Sequence, residues 1–449
     1  MADFLSQSLC DLGENLLARA LKAGADAGDV VVVNGHSLSL EVRNGEVENT
    51  RQAEGIDLGL RVFCGQSQAI VSSSRFAADD LDALAARAVA MAKIAPADPF
   101  AGLPDKAQLA ADFPDLDISD TAAPDSMTLK QMALECERAG LGVAGVSQSA
   151  GASASARRNK IALVNSNGFG GEYERTGYSV SASMIAGEGT GMERDYDYSA
   201  SVSLSALEPA EKIGRSAGER AVRRLNPKKI ASQTAPVVFE QRLAGGLIGH
   251  LSGAVLGSAV ARATSFLKDD MGKKIFADGI SVIDDARKRR GLASKPFDGE
   301  GVATARRTVI GDGRLESWLL DCRSARQLGL ETTGHASRGT GGAPSPSSTN
   351  IYLEAGDQTP DELIAGIKNG LFVTELIGMG VNPVTGDYSR GASGFWIENG
   401  EIAWPVSEIT IAGNLKDMYG GLTPANDLKF HGATNAPTCL IAEMTIAGT

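Results

Sequence analysis

Apolar residues near the start of the chain recur first at helical spacing and then at alternate positions. The helical face consists of Leu5, Leu9, Leu12 and Leu16. Intervals of four, three and four residues predict an amphipathic helix that packs on the rest of the protein. Over 30–71, alternation broken by Asn-Gly dipeptides predicts a small antiparallel sheet. An Ala-rich second helix is expected over 77–94, with a face formed by Leu81, Leu84, Ala88 and Met91.

Period-two alternation returns over 143–204, where small and apolar residues alternate with polar ones. This pattern predicts further strands, each with one polar face. A helix is expected before them over 129–139, and another after them over 210–225, where Asn226-Pro227 would end it. The stretch 96–124 contains five prolines and little periodicity, which predicts a linker or a loop that follows the surface.

The second half of the chain predicts one apolar helix followed by short strands. The helix is expected over 243–261, and examples of the strands are 308–310, 315–320, 395–398 and 441–446. We therefore predict an α+β protein in four parts. These are an N-terminal α/β domain (1–95), a Pro-rich linker (96–124), a central α/β domain (125–228) and a C-terminal β-rich domain (232–449).

Composition narrows the class of protein. The 449 residues are 43% hydrophobic and 22% charged, which is typical of globular chains and excludes disordered, collagenous and polytopic membrane proteins. The 53 glycines and only 5% aromatic residues favour many turns and close backbone contacts. A formal charge of −12 disfavours nucleic acid as a direct partner. Five scattered cysteines, without a CxxC pair or a leader pattern, predict reduced thiols and a cytoplasmic location.

The segment 243–261 contains no formally charged residue and approaches the length that spans a bilayer. Its glycines recur at every fourth position, at Gly245, Gly249, Gly253 and Gly257. A membrane-spanning helix is one interpretation, but a histidine, two serines and the lack of flanking aromatic anchors disfavour it. We expect instead a buried helix whose glycines let a neighbouring backbone approach closely, and no contact with a membrane.

Several short motifs, taken in their order and spacing, resemble those of one protein family. They are 163–168 (LVNSNG), 236–238 (PVV), 245–250 (GGLIGH), 297–301 (FDGEG), 347–350 (SSTN), 391–402 (GASGFWIENGEI) and 443–448 (EMTIAG). Together they resemble the TldD/PmbA proteins, also called the peptidase U62 or "modulator of DNA gyrase" family, over essentially the whole chain. The resemblance implies N-terminal α/β layers and a β-rich C-terminal domain that contains the Gly-rich helix.

In the TldD branch of that family the corresponding helix carries HExxxH. Its two histidines and a downstream cysteine bind zinc, and its glutamate is the general base that activates a zinc-bound water. The resemblance puts Gly245 at the first histidine, Gly246 at the glutamate and His250 at the second histidine. Segment 428–431 falls where the cysteine is expected, and Cys439 lies too late. The chain therefore resembles the PmbA branch, also named TldE, with no catalytic residue and no metal or cofactor of its own.

The resemblance further implies a non-catalytic subunit of a cytoplasmic TldD–TldE metalloprotease. The zinc would belong to a TldD-type partner, and the heterodimer would enclose a chamber that processes unfolded or small peptides, including antibiotic precursors and antitoxins. We expect this chain to hold an extended peptide by backbone pairing at Gly- and Ser-rich segments. The candidate contacts are Gly339, Gly341, Gly342, Ser347, Ser393 and Gly394.

Other interpretations stay open at this level. The chain could be an autonomous peptidase or hydrolase, acting as a homodimer, or a regulatory binding protein. A metal site outside the family pattern would require His250, His335 and His431 to meet in space, because no two of the four histidines lie within helical reach. Cys322 would be a reactive thiol only if a neighbouring cation such as Arg323 lowered its pKa.

Overall fold

Six antiparallel strands from the first half of the chain form one continuous sheet. The computed structural model describes residues 8–448. The strands are β1 (Ala27–Arg43), β2 (Glu46–Cys64), β3 (Ser67–Ser73), β4 (Val146–Asn165), β5 (Gly170–Ala186) and β6 (Glu193–Ser201). They lie in the order β3-β2-β1-β4-β5-β6. Because β1 pairs with β4, from Asp29 opposite Asn165 to Val42 opposite Ala152, the first two predicted units share a single sheet.

Four helices cover one face of this sheet. They are α1 (Leu9–Lys22), α2 (Ala78–Ile94), α3 (Ser126–Leu141) and α4 (Ala210–Arg223). Helices α1 and α2 bury Val30 and Val32 of β1, whereas α3 and α4 bury Leu38, Leu40 and Val42 of the same strand. Side chains two apart on a strand share a face, so all four helices lie on the same side. The opposite face, which includes Val31 and Val33, meets the second half of the chain.

The helices agree with the predicted segments except in detail. The predicted position Leu5 lies outside the described residues. Met91 was expected on the buried face of α2, but it is 42% exposed. The expectation was wrong because the buried stripe instead follows the positions Leu81, Leu84, Ala85, Ala88, Val89 and Ala92. Met91 lies beside that stripe.

The Pro-rich stretch after α2 packs against the second half of the chain. Its one regular element is a short 3₁₀ turn at Lys106–Gln108. Leu103, Ala110, Leu116 and Ile118 are buried. The guanidinium of Arg326 donates to the backbone carbonyls of Phe100, Gly102 and Leu103. This segment therefore follows the surface and ties the two halves together.

The second half of the chain contains a β-barrel, which agrees with the expected β-rich domain. Its strands are β7 (Gln233–Phe239), β14 (Asn369–Ile377), β15 (Asp387–Glu398), β16 (Glu401–Asn414) and β19 (Cys439–Ala447), with β17 (Leu422–Pro424) attached to β19. The strands run β16-β15-β14-β7-β19, and pairing of β16 with β19 closes the ring. Closure leaves these five strands paired on both sides.

Smaller elements surround the barrel. A second sheet has the order β10-β9-β8-β13-β18, and a two-stranded hairpin joins β11 to β12. These strands are β8 (Val282–Asp285), β9 (Arg306–Gly311), β10 (Arg314–Leu315), β11 (Ala336–Ser337), β12 (Ser345–Pro346), β13 (Ile351–Leu353) and β18 (Thr434–Asn435). The helices are α5 (Gln241–Ala254), α6 (Gly257–Ala261), α7 (Cys322–Leu328), α8 (Pro360–Ala365) and α9 (Leu415–Gly420). The strand expected over 315–320 ends at Leu315, because the chain then turns into isolated contacts such as Leu319 with Leu256.

The apolar helix expected over 243–261 is two helices, α5 and α6. The break falls at Leu256, whose backbone is extended, with φ −66° and ψ 128°. There the amide of Gly257 donates to the carbonyl of Leu319, at 2.8 Å, instead of continuing the helix. Among residues 8–448, no helix combines the length and apolar character needed to cross a bilayer.

Candidate functional site

Helix α5 begins directly after barrel strand β7 and has two different faces. The buried face packs into the core of the barrel region and consists of Ala244, Leu247, Ile248, Leu251 and Ala254. On the other face Gly246, Gly249 and Gly253 are exposed, and a Cβ on any of them would have no neighbouring atom within 4 Å. The expectation of close backbone packing is therefore wrong for Gly249 and Gly253, which form an open stripe together with Gly246.

Close backbone contact does occur at Gly245. A Cβ at this position would lie 3.1 Å from the carbonyl oxygen of Thr434 in β18. Thr434 comes three residues after the segment 428–431, where the motif resemblance puts the ligand cysteine of the TldD branch. The fold therefore brings the first motif position close to the region of that cysteine, although neither position holds a ligand here.

The third motif position, His250, is half-buried and lies against an aromatic ring. Its imidazole is 6.0 Å from the ring of Tyr388, in an edge-on arrangement. Burial, and then the charge of Arg390, lowers the pKa of His250 below its ordinary value. A single imidazole beside two glycines cannot complete the three-ligand set that catalytic zinc requires. The residues of α5 therefore do not fit the zinc that the resemblance implies for the TldD branch.

The remaining histidines of the sequence-level metal hypothesis have other contacts. His335 is buried, with Nε2 3.2 Å from Asp284 and Nδ1 2.8 Å from the carbonyl of Thr333. The ring of His431 lies 6.2 Å from that of Tyr198. Within the described part of the chain, no three His, Cys, Asp or Glu side chains are grouped as a metal would require.

Cys322 does not have the environment of a reactive thiol. Burial raises its pKa, and the nearby carboxylates of Glu300 and Asp298 raise it further. The cation at Arg323 lies elsewhere, because its guanidinium pairs with Asp98 at 2.7 Å. A high thiol pKa leaves almost no thiolate at neutral pH, so nucleophilic chemistry at this cysteine is disfavoured.

The first group of predicted peptide contacts lies in the loop between β11 and β12. Gly339, Gly341 and Gly342 are exposed, and a Cβ on any of them would meet nothing within 4 Å. The neighbouring Thr340 instead packs tightly on β2, where a Cβ on Gly59 would lie 2.4 Å from its carbonyl oxygen. The loop is thus anchored to the first sheet at one point, with its glycines left accessible.

The second group of predicted contacts is less accessible. Gly394 pairs with Val373 of β14 on one side and with Val406 of β16 on the other. Ser393 is buried within the same strand. A peptide cannot add to a strand that already has two neighbours, so Ser393 and Gly394 offer no edge for backbone pairing. Their small size instead suits close packing, since a Cβ on Gly394 would lie 2.0 Å from the carbonyl oxygen of Phe372.

A buried ionic cluster that no sequence motif predicted joins the first sheet to the second half of the chain. Arg61 of β2 donates from Nε to both carboxylate oxygens of Asp29, at 3.0 and 3.2 Å. Arg338 also pairs with Asp29, and Nη2 of Arg61 lies 3.5 Å from Glu300. All four side chains are at most 5% exposed. The signal available in sequence was the FDGEG motif that contains Glu300, but nothing there indicated its partners.

Burial sets the protonation of this cluster. Burial opposes ionisation of Asp29, but the charges of Arg338 and Arg61 outweigh it and hold its pKa below the ordinary value. Burial raises the pKa of Glu300 to about 7, and Arg61 offsets this only in part. Glu300 also accepts a hydrogen bond from the amide of Cys322 at 2.8 Å. One carboxylate of the cluster is thus firmly ionised, whereas the other titrates near neutral pH.

The protein is an α+β protein that combines a helix-covered sheet with a closed barrel. The Gly-rich helix α5 follows barrel strand β7 directly. Three family profiles match in the same order: PmbA/TldA metallopeptidase domain 1 at residues 28–92, the central domain at 112–225 and the C-terminal domain at 232–448. The chain therefore belongs to the PmbA/TldD metallopeptidase family, which confirms the resemblance seen in its motifs.

Individual relatives agree with this placement. The chain is 39% identical to metalloprotease PmbA of Escherichia coli O157:H7 over 426 residues, covering 94% of this chain and 93% of the relative. It is 37% identical to a PmbA homologue of Haemophilus influenzae over 431 residues, covering 96% and 94%. These relatives are named as metalloproteases, and they share nearly the full length of this chain.

Solved structures show the same fold. A protein of Bacteroides thetaiotaomicron, named as a candidate modulator of DNA gyrase, superimposes with a TM-score of 0.90 at 28% identity, covering 98% of both chains. TldE of Thermococcus kodakarensis superimposes with a TM-score of 0.88, covering 97% of this chain and 99% of its own. At 20% identity the second likeness concerns the fold alone.

Proposed function

We propose that this chain is the zinc-less, TldE-type subunit of a two-subunit cytoplasmic metalloprotease that cleaves unfolded or small peptides. The observation that carries the proposal is the chemistry of α5, where Gly245 and Gly246 replace a ligand and a general base. Glycine has no side chain that can bind a metal or accept a proton. Water activation would then come from a TldD-type partner that retains HExxxH.

Two surface features support a macromolecular partner. The stripe of Gly246, Gly249 and Gly253 lets another backbone come close to α5 without displacing a side chain. At the turn between β14 and β15, Ile377 and Met379 are exposed to solvent, and the exposed fraction of Met379 is 89%. Apolar side chains grouped at an exposed turn are typical of protein interfaces. Both features belong to the barrel half of the chain.

The direct test compares three samples on one unstructured peptide: this chain, its TldD-type partner, and an equimolar mixture. We expect no hydrolysis by the lone chain and a rate for the mixture several times that of the partner alone. A tagged copy purified from its own host should carry the partner, and zinc should copurify in proportion to it. A mixture no faster than the partner alone would contradict the subunit role.

A second candidate is an autonomous peptidase acting as a homodimer, because relatives 37–39% identical over nearly the whole chain are named metalloproteases. Robust hydrolysis by the lone chain would favour it. Regulatory binding without proteolysis is the third reading, and it follows from the name of the Bacteroides neighbour alone. It predicts that the mixture and the partner cleave equally, while the two chains still copurify.

A further inference from the structure

A cavity of about 330 Å³ lies between the helix-free face of the first sheet and the second half of the chain. The sheet gives it an apolar wall, made of Val31, Val33, Ile161 and Leu163. The opposite wall comes from three loop segments: 295–299, 336–338 and 347–349. We call this cavity the junction pocket. Its volume is at the lower end of the range for small-molecule sites.

Three cationic side chains and one carboxylate line the junction pocket. The cations are Arg175, Lys295 and Arg338, and the carboxylate is Asp298. Asp298 accepts hydrogen bonds from the backbone amides of Glu300, Val302 and Ala336, at 2.8 to 2.9 Å. Its oxygens are therefore engaged by the loop itself. The lining is positive within a chain whose net charge is −12.

Two of the cations have no carboxylate within ion-pair distance, although the charges of Asp298 and Asp284 act on Lys295 from farther away. Lys295 donates to the carbonyl of Ala336 at 2.8 Å, and Arg175 donates to the carbonyl of Leu292. Considering residues 8–448, neither has a carboxylate oxygen within 4 Å, since every such pair involves other residues. Burial lowers the pKa of both groups. A half-buried cation without an ion-pair partner is costly, so an incoming anion would recover part of that cost.

The third cation has an unused donor. Arg338 is 1% exposed in its side chain and pairs with Asp29, but its Nε is buried without a hydrogen-bond partner. Buried donors are nearly always satisfied in folded proteins. This Nε has almost no accessible surface, so it does not reach a ligand in the cavity, and Arg338 adds positive charge to the pocket wall. Hydroxyl groups of Ser337 and Ser348 also line the pocket and add donors.

We propose that the junction pocket binds the terminal carboxylate of a peptide, with Lys295 and Arg175 as its ion-pair partners. The apolar wall of Val31, Val33, Ile161 and Leu163 would take the side chain of the last residue. That the anion belongs to a peptide rests on the proposed function. The geometry adds that an apolar wall opposite the cations suits an amphipathic ligand better than inorganic phosphate. Ser347, predicted from sequence as a peptide contact, lines the same pocket.

The test is a binding measurement on the full chain alone, with an N-terminally fluorescein-labelled Ala-Ala-Leu as the free acid and as the C-terminal amide. We expect the acid to bind at least about 10-fold tighter, because charge-assisted hydrogen bonds are lost in the amide. Equal affinity of acid and amide, or no binding of either, would overturn the proposal. Tighter competition by inorganic phosphate than by unlabelled acid would assign the pocket to phosphate instead and also overturn it.

Variants locate the binding. Lys295→Met and Arg175→Met should each lower the affinity for the free-acid peptide about 10-fold or more and leave the affinity for the amide unchanged. Lys295→Arg should keep most of the affinity for the acid. Lys416→Met is the matched control, because Lys416 pairs with Asp270 outside the pocket. Thermal unfolding of every variant identifies any that fails to fold. Unchanged acid affinity in folded Lys295→Met and Arg175→Met would contradict the assignment.

This experiment is independent of the mixture assay. If the lone chain binds the acid more tightly than the amide but does not stimulate a TldD-type partner, the pocket assignment is supported and the subunit role is contradicted. If the mixture gains activity while acid and amide bind equally, the subunit role stands and the pocket assignment fails.

Discussion

Helix α5 and the junction pocket are two regions with opposite chemistry. The exposed stripe of α5 has no side chain at Gly246, Gly249 and Gly253, although the motif resemblance puts the HExxxH positions of the TldD branch on this helix. The junction pocket, which contains no residue of α5, groups cations and serine residues around a cavity. Where the resemblance implied a catalytic motif, α5 offers only the imidazole of His250. The cations of the pocket instead lie beside three other family motifs, 163–168, 297–301 and 347–350.

The two regions also differ in how much stability a substitution should cost. Exposed glycines on α5 can change at little structural cost, because nothing packs against them. The pocket is bordered by Asp29, Arg61, Glu300 and Arg338, which are buried and depend on one another. A buried ion pair contributes little in total, but removing one partner is costly because the other charge is left alone. Substitutions should therefore separate the two regions clearly.

The largest effect is expected for Arg61→Met. This change leaves Glu300 without its cation and Asp29 with only Arg338, and it should lower the free energy of unfolding by about 3–5 kcal/mol. Arg51→Met is the control on the same strand, because Arg51 is exposed and should change stability by less than about 0.5 kcal/mol. Urea unfolding monitored by circular dichroism measures both. Similar midpoints for the two variants would mean that the cluster does not hold the halves together.

Unfolding of wild type and Glu300→Gln over a series of pH values tests the protonation of the buried cluster. The folded protein keeps the Glu300 proton up to a pKa of about 7, whereas the ordinary value is 4.5. This group therefore makes stability fall as pH rises from about 4.5 to about 7, and the loss levels off above that. The glutamine variant lacks this loss, so relative to wild type it should gain up to about 3 kcal/mol across the window. A constant difference between the two proteins from pH 4 to 8 would contradict the raised pKa.

Two glycines of the apolar segment should respond to alanine in opposite directions. Gly249→Ala adds a methyl group in open space and should stabilise the helix by about 0.5–1 kcal/mol. Gly257→Ala should destabilise the protein, because its Cβ would lie 2.4 Å from Oγ of Ser324 and 2.5 Å from Cδ2 of Leu320. Thermal unfolding of both variants measures the two changes in stability. Stabilisation by both substitutions would show that Gly257 is not tightly packed against Ser324 and Leu320.

The smallest effect is expected for His250→Ala. If α5 binds no metal, the zinc content of the purified lone chain, measured by inductively coupled plasma mass spectrometry, should be far below one per chain and unchanged by the substitution. His36→Ala is the control, since His36 is exposed on β1. Stoichiometric zinc that His250→Ala removes would overturn both the comparison and the proposed function.

Much of the fold could be predicted from local patterns. Helices α1 to α4 and most long strands follow from periodicity, because that signal arises within a few residues. The joining of β1 to β4 could not be predicted in this way, since it pairs residues more than a hundred positions apart. The break between α5 and α6 was also missed, because it depends on a contact of Gly257 with Leu319 and not on a helix-breaking residue.

The candidate site divides in the same manner. Sequence alone indicated the family, and the motif resemblance puts Gly245 and Gly246 at two positions of HExxxH, since side-chain identity is a local property. It also identified Ser347, but it could not separate the accessible loop at Gly339 from the paired strand at Gly394. Only the tertiary structure decided which glycines are open and which are packed. It alone also brought Arg175, Lys295 and Arg338 to one cavity, because electrostatic partners and shared walls depend on distances in space that the order of residues does not encode.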